Sequence, residues 1–195
     1  MKNLDDPIVL PAGVELRSAE PIDRCEIESL WESRTGFEIS QVLDGVFHDE
    51  KPAYGFVATK VETVLGFGVV ICVPRDSAEE RFSISLNEYP LGEEVAVFQA
   101  SAVREDWEGK GIGSALMDAR LRFTRKISVD SAIGTAWLRP HTVDSSILFE
   151  KMGFERLDTI ENFYQTIDDE RDCPDCGTPC GCSAGIYVWT PPATD

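Results

Sequence analysis

No stretch of this chain is apolar for long enough to span a membrane, which takes about 20 consecutive apolar residues. The opening Met1-Lys2-Asn3-Leu4-Asp5-Asp6-Pro7 lacks the apolar centre of a secretory leader. The expectation is a soluble, cytoplasmic protein without a membrane partner. Basic residues are scarce: 18 Lys and Arg face 35 Asp and Glu, a formal net charge of −17. A surface of that sign repels phosphate backbones, which excludes nucleic-acid binding by bulk electrostatics. Internal repeats and low-complexity tracts are also missing, which excludes a solenoid. The 195 residues, 43% of them hydrophobic, suffice for one full core and are too apolar for wholesale disorder. A single domain over residues 1–195 is expected.

The excess of acid has two readings. It could draw in a cationic amine, or it could hold a solvation shell in high salt. The acids are scattered rather than clustered, and arginines outnumber lysines two to one. Both features favour solvation, and hence a halophilic-type acidic protein.

Against this background one segment stands out: Val103-Arg104-Glu105-Asp106-Trp107-Glu108-Gly109-Lys110-Gly111-Ile112-Gly113-Ser114-Ala115-Leu116. A β-rich stretch precedes its three glycines and an amphipathic helix follows. Glycine turns tightly and lets an anion approach backbone N–H groups. The helix start presents unsatisfied N–H groups and a positive dipole end to the same spot. Such a turn can cradle phosphate or pyrophosphate. It is not a Walker loop, since no lysine separates Gly113 from Ser114. Nor is it a Rossmann fingerprint, because the glycine spacing and its late position are wrong. The bland alternative is a turn that merely joins strand to helix.

Periodicity orders the rest. Strands are expected at Val14–Arg17, Tyr54–Thr59, Val64–Val73, Glu94–Val103, Ala132–Leu138, Phe154–Tyr164 and Gly185–Thr190. Helices are expected at Pro21–Arg34, with Ile22, Cys25, Ile27, Leu30 and Trp31 near helical spacing, at Phe37–Phe47, at Gly113–Lys126 and at Val143–Met152. Residues 74–92 are ambiguous between a loop and a short added element. Early strands pair directly and later ones cross over through helices, a mixed α/β sheet.

Ala102-Val103, a short spacer, Gly-x-Gly-Ile-Gly and a Leu-Met helix together resemble motif A of the GNAT N-acetyltransferase superfamily. Ser145-Ser146-Ile147-Leu148-Phe149-Glu150-Lys151-Met152-Gly153-Phe154 resembles its motif B, a helix ending in aromatic-x-x-x-Gly-Phe. The resemblance covers about residues 95–165. It implies a GNAT-like α/β fold whose central sheet splays open, with helices on both faces and an acyl-CoA in the splay. It further implies transfer of acetyl from acetyl-CoA directly to a primary amine: a small molecule, a lysine or a protein N-terminus. Backbone groups at Ser101 and Val103 would hold the pantetheine arm as an added strand. The amides of Gly109, Lys110, Gly111, Ile112, Gly113 and Ser114 would hold the pyrophosphate.

Three positions depart from the family. Glu108 stands where Arg or Gln is usual, and a carboxylate beside a pyrophosphate needs a cation, with Arg104 and Lys110 in reach by sequence. Phe149 replaces a frequent catalytic Tyr and cannot donate a proton. Val97 replaces a Glu that serves some relatives as base. Gln99 and Ser101 share its strand parity and are expected on its side. Tyr164 or water could supply the acid; His141 and Glu94 are the candidate bases. These departures keep open a second class, a non-catalytic CoA-binding or protein-interaction module.

Cys173-Pro174-Asp175-Cys176-Gly177-Thr178-Pro179-Cys180-Gly181-Cys182 gathers four of the six cysteines. CxxC followed by CxC, punctuated by Gly and Pro, suits four thiolates converging on structural Zn²⁺. Disulfides, loose thiols and iron–sulfur ligation are the alternatives. The loop, residues 168–184, is expected as an insertion between the last two strands. Cys25 and Cys72 are expected as ordinary core residues.

Overall fold

The computed structural model describes residues 8–48, 53–82, 85–87, 89, 91–129, 131–139, 144–167, 170 and 172–191. In chain order the elements are β1 (Val14–Ser18), α1 (Arg24–Thr35), α2 (Ser40–Phe47), β2 (Ala53–Lys60), β3 (Thr63–Pro74), α3 (Arg75–Phe82), β4 (Glu94–Val103), α4 (Ile112–Lys126), β5 (Ala132–Leu138), α5 (Ser146–Lys151), β6 (Glu155–Ile160), α6 (Phe163–Ile167) and β7 (Ser183–Trp189). The seven strands form one sheet in the order β1-β2-β3-β4-β5-β7-β6. Only β4 and β5 pair in parallel.

That parallel pair opens the sheet. Its register covers Ala96, Val97 and Phe98 against Ala132, Ile133 and Gly134. β4 continues to Val103 and β5 to Leu138, so their carboxyl halves part. A bulge helps them part. β3 pairs Val69 with Ala100 and Val70 with Phe98, leaving Gln99 as the extra residue. A bulge of this kind bends its strand and raises the local twist.

Helices cover both faces. On one, α1 and α2 bring Ile27, Leu30 and Leu43 onto Val57, Phe67, Val69, Ala100 and Ala102. Beside them α3 sets Ala78 and Phe82, spaced i and i+4, against Val95, Val97, Ile133 and Ile186. Ile71 packs against both groups, so they share a face. On the other face α4 and α5 place Met117, Leu121 and Phe149 on Val70, Ala96 and Phe98. Ile112 and Leu116 meet Ala58 and Leu65 there.

The bulge overturns one expectation. Val97 faces α3 while Ala100 and Ala102 face α1, on the same side of the sheet, so side-chain parity flips at Gln99. Ser101 therefore points away from the Val97 side, and its hydroxyl donates to the Phe67 carbonyl at 2.8 Å. An extra residue in a ladder leaves no mark on the hydrophobic pattern.

Other expectations shift for local reasons. α1 begins at Arg24 because Pro21–Asp23 form a 3-10 turn. Three residues per turn change the phase, so Ile22 is 83% exposed and Cys25 is exposed rather than in the core. Cys72 is buried as expected, and burial pushes its thiol pKa up to about 11, with the Glu94 charge adding to the effect. β6 stops at Ile160, and Asn162 at φ 53° turns the chain into α6. Among the described residues no helix is long and apolar enough to cross a membrane.

Candidate acetyl-CoA site and cysteine knuckle

The glycine-rich turn stands at the carboxyl end of β4. A 3-10 turn at Glu105–Trp107 leads into it. Gly109 and Gly111 adopt φ +70° and +86°, where an L side chain is strained. At Gly109 an added Cβ would meet nothing within 4 Å, so the space beside its Cα is open. At Gly111 it would lie 3.5 Å from the Val9 carbonyl, which shows that the segment before β1 runs past the turn. Gly111 caps α4, and the first helical bond there runs from the Ala115 N–H to the Gly111 carbonyl at 3.0 Å. The amides of Ile112, Gly113 and Ser114 thus precede the helical ladder, as a phosphate cradle requires. Ser114 is buried.

From Gln99 to Val103, β4 has β3 on one side and, among the described residues, no strand pairing on the other. Alternate N–H and C=O groups there point into the opening, the geometry that an extended ligand uses to add itself as a strand. Ser101 and Val103 lie on this edge.

Charge at the turn is mixed. Lys110 donates to the Asp106 carbonyl at 2.7 Å and stands 4.6 Å from the Trp107 ring, with Lys60 on the same ring at 5.3 Å. Glu108 is paired neither with Arg104 nor with Lys110. Its partner is Arg34 at the end of α1, which also reaches Glu105 at 3.7 Å. Arg104 is engaged elsewhere, donating to the Val64 carbonyl at 2.6 Å and to Glu26 at 3.2 Å. The sequence could not show this partner, because Arg34 lies 74 residues from Glu108.

The candidate catalytic residues separate. Glu94 is exposed at the amino end of β4, nine residues before Val103, roughly 30 Å along an extended strand. The structure does not bring it to the turn. His141 lies outside the described residues. Tyr164, on α6, is half-buried beside Trp137, with ring centroids 5.8 Å apart, and beside Phe37 at 6.2 Å. Phe149 is buried between Phe154 and Tyr187, at 5.0 and 5.1 Å. The Tyr187 hydroxyl donates to Glu150 at 3.0 Å.

The four loop cysteines converge between α6 and β7. Their Sγ atoms all lie within 4.8 Å of one another. Three separations are 3.8 Å (Cys173–Cys182), 3.8 Å (Cys176–Cys180) and 3.5 Å (Cys176–Cys182). No disulfide joins any of the six cysteines. A tetrahedral metal with bonds of about 2.3 Å sets its sulfurs about 3.8 Å apart, so the cluster has the dimensions of a four-thiolate site. Burial raises the pKa of Cys182 despite the indole N–H of Trp137. Burial also opposes ionisation of Cys173, but the amides of Asp175 and Cys176 bring its pKa below the ordinary value.

A family model for the Acetyltransferase (GNAT) domain matches residues 51–156, more than half of the chain. The chain belongs to the GNAT acetyltransferase family. No curated protein sequence matches it. Solved structures share the fold at low identity. Arabidopsis thaliana NAA60 in complex with acetyl-CoA aligns with a TM-score of 0.68 and 15% identity, over 91% of this chain and 98% of that one. The ribosomal-protein-S18-alanine N-acetyltransferase of Escherichia coli gives 0.62 and 17%, over 93% and 96%. The IAA acetyltransferase of Bacillus cereus gives 0.59 and 18%, over 91% and 99%.

Proposed function

We propose that this chain transfers an acetyl group from acetyl-CoA to a primary amine: a small molecule, a lysine side chain or a protein N-terminus. One observation carries the reading: the parted ends of β4 and β5, with open strand edge on one side and a glycine cradle at its end. The edge at Ser101 and Val103 serves the pantetheine arm. The amides of Gly109, Lys110, Gly111, Ile112, Gly113 and Ser114 serve the pyrophosphate. Relatives by fold include an enzyme bound to acetyl-CoA and another bound to a CoA–peptide bisubstrate analogue.

The reaction needs a neutral amine, whose nitrogen attacks the thioester carbonyl carbon. The C–N bond forms, the C–S bond breaks, and the thiolate takes a proton. Tyr164, beside Trp137 at the carboxyl end of β5, is the candidate donor. His141 remains the candidate base. Glu94, exposed at the amino end of β4, is the other candidate base.

The same reading gives Cys173, Cys176, Cys180 and Cys182 a Zn²⁺ ion. Four thiolates leave no open position, so the ion is structural.

Burial of Val97 and Phe149 where relatives carry acid–base groups supports a second reading, a CoA-binding module without turnover. Thermal shift with acetyl-CoA, followed by free-thiol release across an amine panel, tests both. A shift with acceptor-dependent thiol release supports the enzyme. A shift with no release on any amine supports the module, and no shift defeats both.

A further inference from the structure

The cysteine knuckle is built onto the β5 side of the opening. β4 and β5 run parallel, so their carboxyl ends lie at the same end of the sheet. β4 ends in the glycine turn. β5 ends in Trp137, Leu138 and Arg139, and the knuckle closes over that end, since Cys182 immediately precedes β7 and Ser183 pairs with Leu138.

Several contacts tie the knuckle to the rim. Trp137 and Tyr164 pack on the buried Cys173, Cys180 and Cys182. Arg139 makes two hydrogen bonds to Asp175, between the first two cysteines, and both side chains are largely buried, at 17% and 7% exposure. The Arg139 guanidinium also lies 4.8 Å over the Trp137 ring. Tyr164 reaches Phe37, in the connection between α1 and α2. α1 ends at Arg34 and Thr35, where Arg34 meets Glu108 of the glycine turn. A belt of contacts thus runs from the knuckle around the opening to the far rim.

We propose that the metal-loaded knuckle is the outer wall of the amine-acceptor entrance, and that metal occupancy fixes the acceptor half of the site without fixing the CoA half. This rests on the acetyltransferase and zinc readings above. Residues 173–182 offer only small side chains, and the cysteines that pack on Trp137 and Tyr164 are the metal ligands themselves, so metal–thiolate bonds are what hold the segment. Without them Asp175 and Cys182 are released, and Arg139 and Trp137 lose their buried partners. Tyr164 and Phe37 then lose the surface on which they pack. The CoA half is anchored separately, by Ile112 and Leu116 against Ala58 and Leu65.

The test uses the full chain, with its metal quantified by emission spectrometry. One sample is stripped with a mercurial and a chelator. A Cys176→Ser/Cys180→Ser variant reaches the same state by mutation, and Asp175→Asn keeps all four ligands while breaking the Arg139 tether. Amide exchange is followed by mass spectrometry with and without acetyl-CoA. In metal-free protein, residues 35–39, 137–139 and 160–167 should exchange at least tenfold faster. Protection of 109–114 by acetyl-CoA should persist, with Kd within threefold of the loaded protein. Asp175→Asn should keep its metal and speed exchange at 137–139. Faster exchange confined to 172–182, or joint loss of acetyl-CoA binding, would overturn the proposal. Protein purified without metal refutes the zinc reading and this proposal together. Loaded protein with no acetyl-CoA protection refutes the acetyltransferase reading instead, and the acceptor wall with it, whatever the exchange of 137–139.

Discussion

Arg34, at the last turn of α1, forms an ion pair with Glu108, the residue just before the first glycine of the turn. The pair explains how a carboxylate is tolerated where a diphosphate is to bind. It also holds a cation at the rim. Glu108→Gln removes the repulsion and leaves Arg34 in place. Its acetyl-CoA Kd is expected to fall about three- to fivefold in dilute buffer, in keeping with the roughly 1 kcal/mol that an exposed charge contributes. Screening at molar salt should erase most of the difference. Titration calorimetry at both ionic strengths checks this, and a weaker-binding variant would contradict it.

Arg120 is buried to 2% exposure on the inner face of α4, its guanidinium 4.4 Å over the Phe98 ring. No ion pair to it occurs among the described residues. Gly68 leaves it room, since a Cβ there would lie 2.9 Å from Nε. Burial lowers its pKa to about 9. The folded chain therefore releases this proton more readily than the unfolded chain, and the cost of the charge is present in full below pH 9. That cost shrinks as pH rises through 9 towards the ordinary arginine value. Arg120→Met should raise unfolding free energy by about 1–4 kcal/mol at pH 7, with a smaller gain at pH 10. Urea denaturation at the two pH values decides it; equal stability at pH 7 would count against an uncompensated charge.

Gly134 forms the last β4–β5 pair, with Phe98. An added Cβ would stand 2.9 Å from Phe149 and 3.1 Å from Phe98. Both are buried side chains with no room to yield. Gly134→Ala should cost about 1–3 kcal/mol by overpacking, read from the urea midpoint. A neutral variant would mean that the junction is looser than its geometry shows.

The thiols should react in classes. Cys25 is exposed, while Cys72 is buried with its pKa pushed up to about 11. The thiolate is the nucleophile, so metal-loaded protein at pH 7.5 should show one fast thiol towards a maleimide, lost in Cys25→Ser. Removing the metal should add the knuckle thiols. Several fast thiols in loaded protein would contradict metal ligation.

The net charge of −17 predicts salt-dependent folding. The thermal midpoint should rise from dilute buffer to molar potassium chloride as repulsion among acids is screened. A flat or falling midpoint would remove the salt-adapted reading.

Strand and helix order was legible because burial wrote itself into the pattern. β4 spans the expected residues, and Gly109 and Gly111 of the Gly-x-Gly-Ile-Gly turn take positive φ. The cysteine spacing foretold convergence. What remained hidden depends on long-range geometry. The bulge at Gln99 reversed the side of Ser101 without changing any residue type. The Arg34–Glu108 pair joins distant segments. α6 has five residues, too few to show a helical period, and α3 carries only two inward residues, Ala78 and Phe82. Glu94 stands at the amino end of β4, a placement that follows from strand direction and not from its residue type.

Amides ahead of α4 and the open edge of β4 are expected to hold the CoA moiety. Amide exchange of the full chain with and without acetyl-CoA tests it most directly. The account predicts slowed exchange at 100–103 and 109–114, with none at the amino end of β4 around Glu94. Unchanged exchange at 109–114 under saturating acetyl-CoA, or protection centred elsewhere, would contradict it.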